Sequence, residues 1–202
     1  MVTVRSDEER VLSIINFFKD YKFYILSFIL LVAISVGGYF FSESVKSNKI
    51  QAAKVLYEDW QVTSAQEGRE QLFQNLTENY SDTGYSHLAL LKKGSDLAKE
   101  NKLQESLNLF YQLKDNSDGF FGNALMNGIA RTNIARISIS LGNFEDALAV
   151  LEKYSNDEDA YTHELKGDAL SGEGKDDLAL QQYQSAFCLL YTSPSPRDLL
   201  KS

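Results

Sequence analysis

Few side chains in this 202-residue chain are suited to nucleophilic, acid–base or metal chemistry. There are two histidines, His87 and His163, and one cysteine, Cys188. The histidines lie 76 positions apart, and neither belongs to an H-E-x-x-H pattern that would set two imidazoles on one helix face around zinc. Each reads as a surface or packing histidine. A single cysteine excludes an intrachain disulfide. The stretch "GDALSGEGKDD" has the look of a phosphate loop, but its frame puts Glu173 where the lysine is required, and Asp176 follows Lys175 in place of serine or threonine. It reads better as a turn between two helices. The acidic runs "NDEDA" and "GKDD" fall at helix starts, where carboxylates favour the backbone dipole. No nucleophile elbow occurs. The sequence therefore points to no catalytic residue, no metal site and no cofactor, and the chain reads as non-enzymatic.

What remains is recognition, and the elements must be placed before its residues can be named. The formal charge is −8. Residues 1–22 sum to zero, whereas Ser42 to Phe187 carry 14 basic and 23 acidic residues, a net of −9. An acidic body of this kind argues against binding a phosphate backbone, which calls for a basic stripe.

Phe23 to Phe41, "FYILSFILLVAISVGGYFF", runs 19 residues without a charge and as a helix is roughly 28 Å long, close to the hydrocarbon thickness of a bilayer. Aromatic residues gather at both ends, where rings sit at the headgroups. A cleaved signal peptide is the competing reading, with Ser35 and Gly37 as small residues before a cleavage site. The 22 residues ahead of the span speak for an anchor, since they hold four acids and a capping box, Ser6 with Glu9, before Val11, Ile14, Ile15 and Phe18 at helical spacing. Four basic residues precede the span and Lys46, Lys49 and Lys54 follow it, so the flanking charge favours a cytoplasmic N-terminus by one. Ala33 and Gly37, four apart, either form a close contact with another membrane helix or are simply tolerated small residues.

Beyond a polar hinge at 42–49, every stretch reads as helix. Helices are expected at about Ile50 to Ala65, with Ala53, Leu56, Tyr57 and Trp60 on one stripe, and at about Arg69 to Tyr80, with Leu72, Phe73 and Leu76. Three later segments superimpose: "LALLKKGSDLAKENKLQESLNLFYQL", "IARTNIARISISLGNFEDALAVLEKY" and "YTHELKGDALSGEGKDDLALQQYQSA". Twelve residues before the small anchors Ser106, Ala147 and Ala179 stand the small Gly94, Ala135 and Gly167, and four after them the large Phe110, Leu151 and Tyr183. Small facing large lets two antiparallel helices approach at one point while a bulky side chain seals the next turn. The intervening turns "ENKL", "LGNF" and "EGKD" hold Gly142 and Gly174, suited to the left-handed backbone that ends a helix.

These units resemble the tetratricopeptide repeat of about 34 residues. Anchors two and three are 32 apart, and anchors one and two are 41 apart, which implies an extra turn around "DNSDGFFGN". The expected fold is all-α, one N-terminal transmembrane helix followed by a repeat solenoid over 50–187. In tetratricopeptide domains the concave groove is lined by first-helix positions. Carried over, these are Leu88, Leu91 and Ser95; Ile129, Thr132, Arg136 and Ile139; and Tyr161, Glu164, Asp168 and Ser171. The mixture of apolar and polar groups suits an extended peptide or partner segment, and the alternative is that these residues only pack between repeats.

The order of parts, with "ENYSDTGYSHLALL" entering the repeats, then "LGNFEDALAVL" and "KGDALSGEGKDDLALQQYQSAF", resembles the YfgM-like family of ancillary subunits of the bacterial Sec translocon, from about Asp7 to Phe187. That resemblance implies a single-pass inner-membrane protein with a cytoplasmic segment at 1–22 and a periplasmic repeat domain. The implied partners are SecYEG and the foldase PpiD, and the implied role is passing translocated chains to periplasmic chaperones. A repeat scaffold for another envelope complex, or an envelope regulator or enzyme docked by its repeats, are the other readings. At Cys188 the pattern stops. Residues Cys188 to Asp198 hold the cysteine and both prolines of the chain, and "CLLYTSPSPRD" resembles the translation of a sequencing-library adaptor, so 188–202 is expected to be a non-native tail with no helical period crossing Phe187. A genuine proline-rich terminus is the alternative. A foreign tail would leave Leu180, Tyr183 and Phe187 without a capping helix.

Overall fold

The computed structural model describes residues 15–16, 19–120, 122–152 and 159–192. Among the described residues there are eight helices and no strand, the all-α architecture that the spacing predicts. The chain divides into two compact units, Met1–Gln51 and Ala52–Ser202.

The first unit is dominated by helix α1, Lys22–Val62. Its apolar window is long and apolar enough to cross a membrane, and none of it is buried within the protein. The core helix of a soluble domain would pass the same length test but would be covered. The expected hinge at 42–49 is helical within α1. "SESVKSNK" is polar but contains neither glycine nor proline, and polarity alone does not stop a helix. The capping box Ser6/Glu9 and the residues Val11, Ile14 and Phe18 lie outside the described residues.

In the second unit the end of α1 pairs with α2, Gln66–Asn79. The end of α1 and both ends of α2 fall within three residues of the expected bounds, with the boundary at "TSA" and no side-chain cap at the start of α2. The stripes are as read: Ala53 and Trp60 are buried with Phe73 and Leu76, while Leu56, Tyr57 and Leu72 pack at the rim of the same core. Trp60 lies 5.9 Å from Phe73, and Tyr57 lies 5.8 Å from Tyr85 of the next helix, centroid to centroid. These tilted rings bring the first pair against the repeats that follow. Lys93 reinforces the join, with its ammonium 3.9 Å above the Phe73 ring and 2.6 Å from the Glu70 carboxylate.

Three helix pairs follow: α3 (Gly84–Lys99) with α4 (Leu103–Asn116), α5 (Ala124–Ser140) with α6 (Phe144–Glu152), and α7 (Ala160–Gly172) with α8 (Asp176–Thr192). The small-to-large contact closes each pair. A Cβ on Gly94 would sit 3.1 Å from Cζ of Phe110, and one on Gly167 would sit 2.5 Å from Cε1 of Tyr183. Ala135 and Leu151 fill the same places in the middle pair, both fully buried. Ser106 adds a hydrogen bond, its hydroxyl donating to the Gly94 carbonyl at 2.7 Å. Burying a side chain such as Phe110 contributes roughly 1.5–3 kcal/mol, and the missing Cβ opposite it is what permits the approach.

The turns inside the pairs are copies of one motif. Asn101, Gly142 and Gly174, each five residues before its anchor, have φ of 60°, 78° and 75°. The following amide reaches back to close the helix end in all three: Lys102 N to Leu97 O at 2.9 Å, Asn143 N to Ser138 O at 2.8 Å, and Lys175 N to Leu170 O at 2.9 Å. This closure satisfies carbonyls that a helix end otherwise leaves open. Asparagine serves in the first repeat because it tolerates the left-handed region better than other side chains.

The longer spacing between the first two anchors is built partly into the helices. Helix α5 is 17 residues long against 13 in α7, one turn more at its start. Asn127 and Arg131 hold α5 to its neighbours: the Asn127 amide donates to the Lys114 carbonyl at 2.8 Å, and buried Arg131 donates to Asn127 at 2.6 Å and to the Val150 carbonyl at 3.1 Å. Between the second and third pairs, Phe144 lies where a Cβ on Gly172 would stand, 2.3 Å from its ring.

At the far end helical order continues past Phe187 to Thr192. Cys188 to Tyr191 contain no helix breaker, and the first proline is Pro194. The expectation for 193–202 lies outside the described residues. Leu180 and Phe187 are exposed, as foreseen for the outer side of this helix. Tyr183 is exposed as well, while one part of its ring lies against Gly167 as the anchor.

Candidate interaction face

The first helices of the three pairs, α3, α5 and α7, touch in sequence, α3 against α5 and α5 against α7. One side of each faces its second helix through Gly94, Ala135 and Gly167. The eleven positions singled out from the repeat pattern lie on these same three helices, several of them directly beside the small residues. Leu88, Arg136, Tyr161, Glu164, Asp168 and Ser171 are exposed, and Leu91, Ser95, Ile129, Thr132 and Ile139 are half-buried. Leu91 and Ile139 also pack against the core. Thr132 spends its hydroxyl within its own helix, donating to Ile129 O at 3.0 Å and Gly128 O at 3.2 Å.

Helix periodicity explains the division. The row is one turn wide, so residues toward the neighbouring helix are partly covered and those at its crest reach water.

Two groups stand together. Ser95 and Arg136 border one cleft of about 440 Å³ with Lys99, Leu103, Asn133 and Ser140. Arg136 also lies within electrostatic reach of Tyr161: burial raises the Tyr161 phenol above its ordinary range, Arg136 pulls it back, and Glu164, Asp168 and Asp159 push it up. The face thus passes from a cation on α5 to two carboxylates on α7. Asp168 is engaged within its own repeat, accepting a hydrogen bond from Tyr183 at 2.8 Å. Partial burial and that bond push the Tyr183 phenol up to about 12. Asp159 caps α7 by accepting from the Tyr161 amide at 3.1 Å.

Two residues escaped the sequence reading. Leu125, 70% exposed, stands one turn before Ile129 on the same helix, and its i−4 spacing could have revealed it. Phe120, 94% exposed, sits in the loop between α4 and α5, where no periodicity could mark it.

The histidines sit apart from this face. His163 shares a hydrogen bond of 2.8 Å with the Gln182 side chain across the last pair. His87 is buried at the start of α3, and burial lowers its pKa against the nearby Ser81 and Asn116 carbonyls and Asp82. Lys175, in the turn with the look of a phosphate loop, ion-pairs with Glu173. Ala33 and Gly37 are exposed on α1, and a Cβ on Gly37 would meet nothing within 4 Å.

Paired antiparallel helices joined by repeated left-handed turns, with first helices aligned in a row, define a helical-repeat module of the kind that serves as a protein–protein interaction scaffold. The chain matches the tetratricopeptide repeat-like domain family over residues 16–201 and belongs to that family. Domains of this family are typically non-catalytic. No curated protein matches the chain.

Proposed function

We propose that this protein is a membrane-tethered interaction subunit of the Sec translocon, associated with SecYEG and a PpiD-like foldase, which helps pass translocated chains to periplasmic chaperones. The observation that carries the reading is one chain joining an uncovered apolar helix to a tetratricopeptide-like domain. The segments "ENYSDTGYSHLALL" and "KGDALSGEGKDDLALQQYQSAF" connect that arrangement to the translocon subunits they resemble. In this reading the N-terminus is cytoplasmic and Ser42 onward periplasmic, and the row from Leu88 to Ser171 holds an extended segment of the partner. Apolar Leu88, Ile129 and Tyr161 take its side chains, while Arg136 and Glu164 fix its register by charge.

Copurification of the full chain in mild detergent, followed by mass spectrometry, tests this directly. Recovery of SecY and the foldase is expected. Recovery of a different envelope complex would replace the translocon with another partner, since a repeat fold does not fix what it binds. Topology is tested separately: a cysteine at Ser64 should react with a membrane-impermeant thiol reagent in spheroplasts, and one at Ser6 should not. The reverse pattern would rule out the translocon role.

A further inference from the structure

Between α4 and α5, residues of the connection on either side of position 121 border a cleft that the groove reading does not use. Its volume is about 700 Å³, and Asp82, His87, Asn116, Asp118, Phe120 and Gly122 are among its lining residues. The described residues of the connection are tightly held. Gly119 has φ of 94°, its amide donates to the Asp118 carboxylate at 2.9 Å, and a Cβ on Gly122 would lie 2.3 Å from the Ser117 carbonyl.

His87 is only 3% exposed, yet neither ring nitrogen makes a hydrogen bond of good geometry, although the Ser81 and Asn116 carbonyls lie near. The amide nitrogen of Asn116 is likewise buried and unmatched. Buried polar atoms without partners are uncommon, and each costs free energy that a suitable ligand would recover. The rim supplies two carboxylates and an aromatic ring that projects into solvent.

We propose that this cleft is a site for a cationic side chain, arginine or lysine, presented by a polypeptide partner. Asp82 and Asp118 would take its charge through charge-assisted hydrogen bonds, and Phe120 would cover it by a cation–π contact. The backbone beside that side chain would offer the Asn116 amide a carbonyl acceptor. Burial keeps His87 neutral, so one ring nitrogen can accept a hydrogen bond from the incoming group and the ring adds no competing charge. The acidic body draws such a segment in. The site is independent of the translocon assignment, because its chemistry is indifferent to which complex supplies the segment.

The chain has only two histidines, which gives a clean readout. In the full chain in detergent micelles, labelled with nitrogen-15 at histidine, titration with acetyl-arginine amide is expected to move the His87 ring signals to saturation. The His163 signals should stay still. Acetyl-citrulline amide, which has nearly the same shape without the charge, should bind at least about tenfold more weakly, as should acetyl-arginine amide to a folded Asp82→Asn/Asp118→Asn variant. His87 signals that do not move, or that move equally with citrulline, would overturn the proposal. So would equal affinity in the variant, and the citrulline comparison decides the matter even where the variant does not fold.

Discussion

The turns inside the repeats and the connections between them differ in kind. Asn101, Gly142 and Gly174 repeat one backbone conformation with the same closing hydrogen bond. Between α4 and α5 the described residues differ from those turns, with a tight glycine at Gly122, an exposed Phe120 and a cleft beside a buried histidine. Within a pair the task is the same each time, bringing two helices together at a small residue, and one solution is reused. Between pairs the chain is free to differ, and there the individual surface features accumulate. The anchors make the scaffold, and the crests and connections give it a particular surface.

The largest effect should come from filling an anchor. Gly167→Ala sets a methyl 2.5 Å from the Tyr183 ring and should destabilise the domain by about 1–3 kcal/mol, read from urea unfolding by circular dichroism. Gly94→Ala meets Phe110 at 3.1 Å and should cost clearly less. Equal costs would mean that the anchors do not set the helix approach. Next come the turns: Gly142→Ala and Gly174→Ala should each cost about 1 kcal/mol because of the positive φ, and Asn101→Gly should be neutral or slightly stabilising. Unequal losses at the two glycines would break the equivalence of the turns.

A weaker effect is expected at His87. Burial holds its folded-state pKa below the ordinary 6.5, so the unfolded chain binds the proton more readily. The stability carried by the neutral ring is therefore complete above about pH 6.5 and is lost as pH falls through the folded-state value. His87→Phe should flatten the loss of stability between pH 7 and 5, and an unchanged slope would show that other groups govern it. The smallest stability change should come from the face itself. Arg136→Glu with Tyr161→Ala should alter unfolding by no more than about 0.5 kcal/mol while weakening partner capture. Collapse of the helical signal would mean that these residues serve packing.

The anchors and two of the three turns were legible because each depends on a residue type at a fixed offset: Gly167 opposite Tyr183, Gly142 and Gly174 five before their anchors. Asn101 was not singled out, since asparagine marks a left-handed turn less sharply than glycine. The helix through 42–49 was hidden by polarity, which resembles a hinge but breaks no helix. The stop expected at Phe187 was misplaced because the change in composition begins at Cys188, whereas Cys188 to Thr192 contain no residue that breaks a helix. On the face, the row from Leu88 to Ser171 came from the resemblance to tetratricopeptide repeats, which could not divide exposed Tyr161 from half-buried Ile139, since that depends on the neighbouring helix. Phe120 and the unmatched His87 nitrogens depend on how a loop folds over a helix start, and no pattern of spacing encodes that.

Photocrosslinking in intact membranes tests the central claim most directly, that the row of first helices is the face presented to partners. A photoreactive residue at Leu88 or Tyr161, exposed on α3 and α7, is compared with one at Glu105 or Asn108, exposed on the second helix α4. Discrete crosslinked products identifiable by mass spectrometry should form from the first-helix positions and be absent or several-fold weaker from α4. Partner products from Glu105 and Asn108, with none from Leu88 and Tyr161, would contradict the account.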